Sequence, residues 1–241
     1  MKGKRNIPKT SIALMLAAVL LLTGGTVLAA TNAPDIISED YKSEFELDHI
    51  DVALMENGVQ SDKISSGSLL GALGGKAQPG RSYKTELAAK NMTDTDEIVR
   101  MIIRVYWIDA DGNKDVTVDP GLIELSYGDD QYNSENWQIN DRETTAERRV
   151  FYLNTILPAG ETSAPVVSAL RVNNKVLDDV EVTEDRQGSK TVYTYRYRYE
   201  GYSICVDADV QSVQSHNPDD AVRSAWGVQN VTVSGDTVTV R

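Results

Sequence analysis

From Ile98 to Ile108 every second residue is large and apolar: Val99, Met101, Ile103, Val105 and Trp107 fall on one face, while Arg100 and Arg104 interrupt the other. A period of two held over that length specifies a β-strand with one face on a core and the other at least partly wet. Shorter stretches of the same kind recur at 49–55, where Ile50, Val52 and Leu54 alternate before Asn57 and Gly58, and at 122–127, 149–153, 165–172 and 176–182. After the turn residues DADGNK (109–114), Val116 and Val118 resume an extended pattern. Short strands separated by Gly, Pro, Asn and Asp are what a β-sandwich produces, so the chain is expected to be all-β.

Two hairpins and a helix complete the reading. Around Glu200 and Gly201 a two-residue turn is expected to set Tyr199 against Tyr202, Tyr197 against Ile204, Tyr195 against Val206 and Tyr193 against Ala208. The tyrosines then share the apolar face and read as core in preference to a stacking platform for sugars. The opposite face would carry Arg196 and Arg198 near Ser203, Cys205, Asp207 and Asp209 as a solvated surface. Near the C-terminus Asn217 is expected to cap a short helix with Pro218 at its first position, Asp219 and Asp220 in its first turn and Gly227 at its end. The closing VTVSGDTVTVR reads as a terminal hairpin.

The first 30 residues contain Lys2, Lys4, Arg5 and Lys9, no acid, and an apolar run from Ile12 to Leu22 followed by Ala29 and Ala30. This is the pattern of a secretory signal peptide, and the run is short of the roughly 20 residues a spanning helix needs. The expected organisation is a signal peptide over 1–29, an extended N-terminal arm over 30–47, acidic and holding Pro34, and a single β-sandwich domain over 48–241. A Gly- and Ser-rich stretch, Ser61 to Gly80, reads as a long loop. Without the four leader bases, 20 basic residues face 36 acids, a net charge of −16. So acidic a chain repels nucleic acid and anionic lipid, and no stable membrane insertion is expected after processing. The single Cys205 forms no disulfide within the chain and reads as a partly exposed structural thiol.

Each candidate for chemistry has a plainer explanation. Asp109, Asp111, Asn113 and Asp115 resemble the start of a calcium loop, but Gly112 stands fourth and Pro120 twelfth, where an EF-hand needs Gly sixth and Glu twelfth. A hairpin turn explains them. His49 and His216 are isolated, and the chain contains neither HExxH nor GxSxG. Leu157-Pro158-Ala159-Gly160 lies mid-chain, without the apolar tail and basic end of a wall-sorting signal. No residue is assigned a catalytic, cofactor-binding or metal-binding role.

The order of segments carries a further signal: a leader ending GGTVLAA, then FELDHIDVALMENG, then QPGRSYKTELAAKNMTDTDEIVRMIIRVYW, with LPAGET later and SAWGV near the end. It resembles the TasA and camelysin family of exported bacterial proteins. Gly24, Gly25, Thr26 and Ala29, then Ile50 to Leu54, then Pro79, Gly80 and Arg81, then Ile98 to Val105 occupy the family's positions. The resemblance implies a jelly-roll β-sandwich, export through a SipW-type signal peptidase, and assembly into fibres of the extracellular biofilm matrix, with an accessory matrix protein as a further partner. The expectation is therefore a secreted, non-enzymatic structural protein that polymerises by strand addition, with Thr31 to Leu47 as the donor. Two alternatives stand beside it: an adhesin or carbohydrate-binding module using the Ser61–Gly80 loop, and a camelysin-like metalloprotease drawing on His49 and His216.

Overall fold

The computed structural model describes residues 51–61, 77–187 and 190–241, which belong to one compact unit. The signal peptide, the arm, His49 and most of the Ser61–Gly80 loop lie outside the described residues. The strands are β1 (Val52–Glu56), β2 (Val59–Ser61), β3 (Ser82–Asn91), β4 (Glu97–Ile108), β5 (Lys114–Asp115), β6 (Ile123–Ser126), β7 (Trp137–Ile139) and β8 (Arg148–Leu153). They continue with β9 (Val167–Val172), β10 (Val180–Gln187), β11 (Lys190–Tyr197), β12 (Ser203–Gln214), then helix α1 (Pro218–Trp226), β13 (Val231–Ser234) and β14 (Thr237–Val240).

One sheet has the order β2-β1-β3-β9-β6 and the other β12-β4-β8-β7, with β5 also pairing β4. All pairings are antiparallel. The two sheets face each other across one apolar layer. Leu54, Leu87, Leu125, Val167 and Leu170 come from the first sheet, and Val99, Met101, Ile103, Val105, Trp107, Phe151 and Val206 from the second. The all-β sandwich expected from the segment spacing is what forms, with one short helix near its C-terminus. Asn57 and Gly58, expected to end β1, join it to β2 through a tight turn with positive φ at both residues (51° and 81°), the turn that matches strand twist.

The far face of β4 is partly wet as expected, at half-exposed Arg104, but its N-terminal half is covered. Ile98 and Ile102 pack there with Val150, Tyr152, Val213, α1's Val222 and the hairpin residues Val231 and Val238, forming a second core outside the sandwich. The helix and terminal hairpin are therefore a third layer, and Arg100, which appeared to mark solvent, is buried. Its guanidinium is held by Glu143 Oε1 (3.1 Å), Gln211 Oε1 (2.9 Å) and the Tyr152 hydroxyl oxygen (3.3 Å), and lies 4.5 Å from the Trp226 ring centroid. The Tyr152 hydroxyl donates to Glu143 Oε2 (2.7 Å), and burial pushes its pKa up to about 12.

Smaller corrections follow from local geometry. Asn217 adopts a left-handed conformation (φ 51°) and makes no side-chain capping bond, whereas Gly227 closes the helix as expected at φ 71° with its N–H on the Arg223 carbonyl. Val176 sits in a 3-10 turn before β10, and Val116 is exposed beyond the two-residue β5 while Val118 is buried. Cys205 is buried, not partly exposed.

Candidate interaction surface: the tyrosine ribbon

The principal correction concerns the tyrosine row. β11 pairs with β10, setting Val180 opposite Tyr197, Val182 opposite Tyr195 and Glu184 opposite Tyr193, while β12 pairs with β4 along its whole length. Ile204, Val206, Ala208 and Val210 stand opposite Trp107, Val105, Ile103 and Met101, on the face turned into the sandwich. β11 takes β10 as its neighbour, and the second edge of β12 carries no strand among the described residues. The polar face expected beside Arg196 and Arg198 exists, but its arginines come from β4: Arg104 reaches Asp207 at 3.5 Å and Arg100 reaches Gln211.

β10 and β11 thus form a two-stranded ribbon exposed on both faces. Directly opposite residues share a face. One face carries Val180, Val182, Glu184, Tyr193, Tyr195 and Tyr197, and the other Glu181, Thr183, Asp185, Val192, Thr194 and Arg196. Tyr193, Tyr195 and Tyr197 are 55, 60 and 43% exposed and Val182 48%, so an apolar stripe lies open to solvent. Consecutive tyrosines stand two residues apart, about 7 Å along the strand.

The base of the ribbon is firmly held. Tyr199 stacks on Trp107 (centroids 6.1 Å, 26°) and meets Tyr202 edge-on (5.4 Å, 81°). The Tyr202 hydroxyl donates to Asp115 Oδ2 at 3.0 Å, a bond that holds the tyrosine pKa above its ordinary value. Arg198 donates to Asp179 Oδ2 at 2.9 Å and lies over the Tyr199 ring. Gly201 makes the reversal after β11 at φ 84°, where a Cβ would come within 3.1 Å of Ala110 Cβ.

The other sequence candidates resolve locally. Asp109 Oδ1 accepts the N–H groups of Asp111 (3.0 Å) and Asn113 (2.8 Å), and Asp115 Oδ1 accepts the Thr117 N–H and hydroxyl, each at 2.7 Å. These bonds build the turns and hold the Asp115 carboxyl below the usual range. His216 is exposed between β12 and α1. Leu157 is buried and bridges Glu97 in β4, which makes the LPAG stretch part of the domain. Among the described residues no group of three or more His, Cys, Asp or Glu side chains is placed to hold a metal ion. The Arg100 cluster was missed by sequence reasoning; an arginine amid a long apolar strand and Trp226 in the amphipathic helix were its only traces. No protein-family model, no curated protein and no solved structure matches this chain.

Proposed function

We propose that this chain is an exported, non-enzymatic structural protein that assembles with copies of itself in the extracellular matrix or at the cell surface. One observation carries the reading: an all-β domain presents unpaired strand edges beside an open aromatic stripe. β12 has twelve residues and pairs only β4, and the β10–β11 ribbon has no third strand, among the described residues. Edges of this length are templates for pairing with another chain. The edge at β7 is treated differently, because the Gln138 side chain ties it to β14, donating to the Val238 carbonyl and accepting the Val240 N–H. The order of segments that resembles TasA and camelysin agrees with this reading. In it residues 31–47 of one copy add as a strand to the next, a heterologous contact that grows without closing.

Negative-stain electron microscopy of residues 30–241 over a range of concentration and pH, with and without calcium, tests the proposal. Filaments are expected, and deletion of Thr31–Glu46 is expected to leave a β circular-dichroism spectrum and no filaments. Persistent monodisperse particles from the full exported chain under every condition would contradict it. The exposed tyrosines favour a second reading, a glycan-binding module, since aromatic rings stack on sugar faces. Specific retention of the monomer on wall polymer, lost on Tyr195→Ser, would support that alternative.

A further inference from the structure

We infer that β11 is a self-complementary edge through which two copies pair antiparallel, joining their ribbons into one four-stranded sheet. The inference rests on the assembly reading above and adds to it a two-fold interface separate from the arm.

An isolated two-stranded hairpin is marginal in water, and a third strand is what stabilises it. The two edges of this ribbon differ in what they offer a second copy. Pairing two β10 strands antiparallel about Thr183 would set Glu181 against Asp185 of the partner subunit, and the reciprocal pair likewise, like charges directly opposite. From Thr191 to Tyr197, β11 has one charge, Arg196, which already lies opposite Glu181 of its own ribbon. The tyrosines are spaced symmetrically about Tyr195. Antiparallel pairing there sets Tyr195 against Tyr195 of the partner subunit, and Tyr193 against Tyr197 of the partner subunit, in aromatic cross-strand pairs. Thr194 falls against Arg196 of the partner subunit, on the other face.

Charge across the whole molecule selects the same place. The chain carries a net charge of −12, so two copies repel over most of their surface. Over residues 180–198 the acids Glu181, Glu184 and Asp185 meet Arg186, Lys190, Arg196 and Arg198, a net of +1. The two-fold arrangement also sends the two sandwiches to opposite ends of the joined sheet. An edge of this length is smaller than a standard interface, so the association is expected to be weak and reversible.

Single cysteines in the purified exported protein test the geometry, since the native Cys205 is buried. Each variant would be oxidised with glutathione disulfide at tens of micromolar protein. Tyr195→Cys should form disulfide-linked dimers at least about tenfold more efficiently than Thr183→Cys on β10 or Thr194→Cys on β11, because Tyr195 opposes its own copy at the axis and meets disulfide geometry, whereas Thr194 lies diagonal to its own copy. In sedimentation velocity, the Tyr193→Ser/Tyr195→Ser/Tyr197→Ser variant should lose at least about tenfold in self-association with its circular dichroism unchanged. Dimers of Tyr195→Cys without filaments would support the edge and contradict the fibre reading. Filaments without preferential Tyr195→Cys cross-linking would overturn the edge and leave the fibre reading standing. Cross-linking equal for Tyr195→Cys and Thr183→Cys, or a triple variant that loses only retention on wall polymer, would also overturn it.

Discussion

β11 and β12 follow one another in the chain, alternate apolar and polar residues in the same way, and end in opposite environments. β12 buries Ile204, Val206 and Ala208 against β4, whereas β11 leaves Tyr193, Tyr195 and Tyr197 in solvent beside β10. Alternation fixes which residues share a face; it does not fix which strand lies alongside or what covers that face. The difference lies in the partners on offer. β4 presents a continuous apolar row along twelve paired positions, while β10 offers two valines among charges.

The sharpest way to break the comparison is to put a charge on each strand in turn. Val206→Asp buries an unpaired carboxylate in the sandwich and should cost more than about 4 kcal/mol, leaving no cooperative urea transition. A folded Val206→Asp variant would place β12 elsewhere. Arg100→Ala should come next, at about 3 kcal/mol, because it removes the nearer, buried cation from the Glu143 carboxylate and leaves only half-exposed Arg148 at 3.9 Å. Adding Glu143→Gln should recover part of that loss, and no recovery would contradict the pairing.

Glu97, at the start of β4, gives a pH-dependent prediction. It is fully buried, its Oε2 has no hydrogen-bond partner, and desolvation holds its pKa above the ordinary carboxylate value. A raised folded-state pKa means the native state keeps a proton that the unfolded chain has released. The contribution is therefore fully present below the unfolded value and is lost as pH rises through the folded one. Glu97→Gln should flatten that part of the stability curve in chemical denaturation between pH 4 and 8; an unchanged slope would assign the pH dependence to other groups. Smallest of all, Tyr195→Ser should change monomer stability by less than about 0.5 kcal/mol, since the ring covers no core.

These contrasts also mark what was readable from sequence. The face of β4 bearing Val99 to Trp107, the β1 turn, the terminal hairpin and the helix end at Gly227 follow from local patterns, because turns and strand faces are decided by residues within a few positions. The partner of β12, the burial of Arg100 and the exposure of the tyrosines depend on segments about 100 residues apart, and no local pattern encodes them. A shared face with Ile204 and Val206 is a sound local reason to expect the tyrosine row in the core, and it fails because β11 pairs β10 and not β12. Asn217 shows the same limit at smaller scale: its residue type suits a cap, yet its backbone is left-handed and its side chain makes no capping bond.

Amide hydrogen exchange of the exported protein, followed at low and at high protein concentration, separates the two strands. β12 amides are expected to be slow at both concentrations, and the amides of Thr191–Tyr197 to gain protection as concentration rises. Protection in β11 that equals that of β12 and ignores concentration would contradict this separation, placing the tyrosine strand inside the domain and not at an edge open to a second copy.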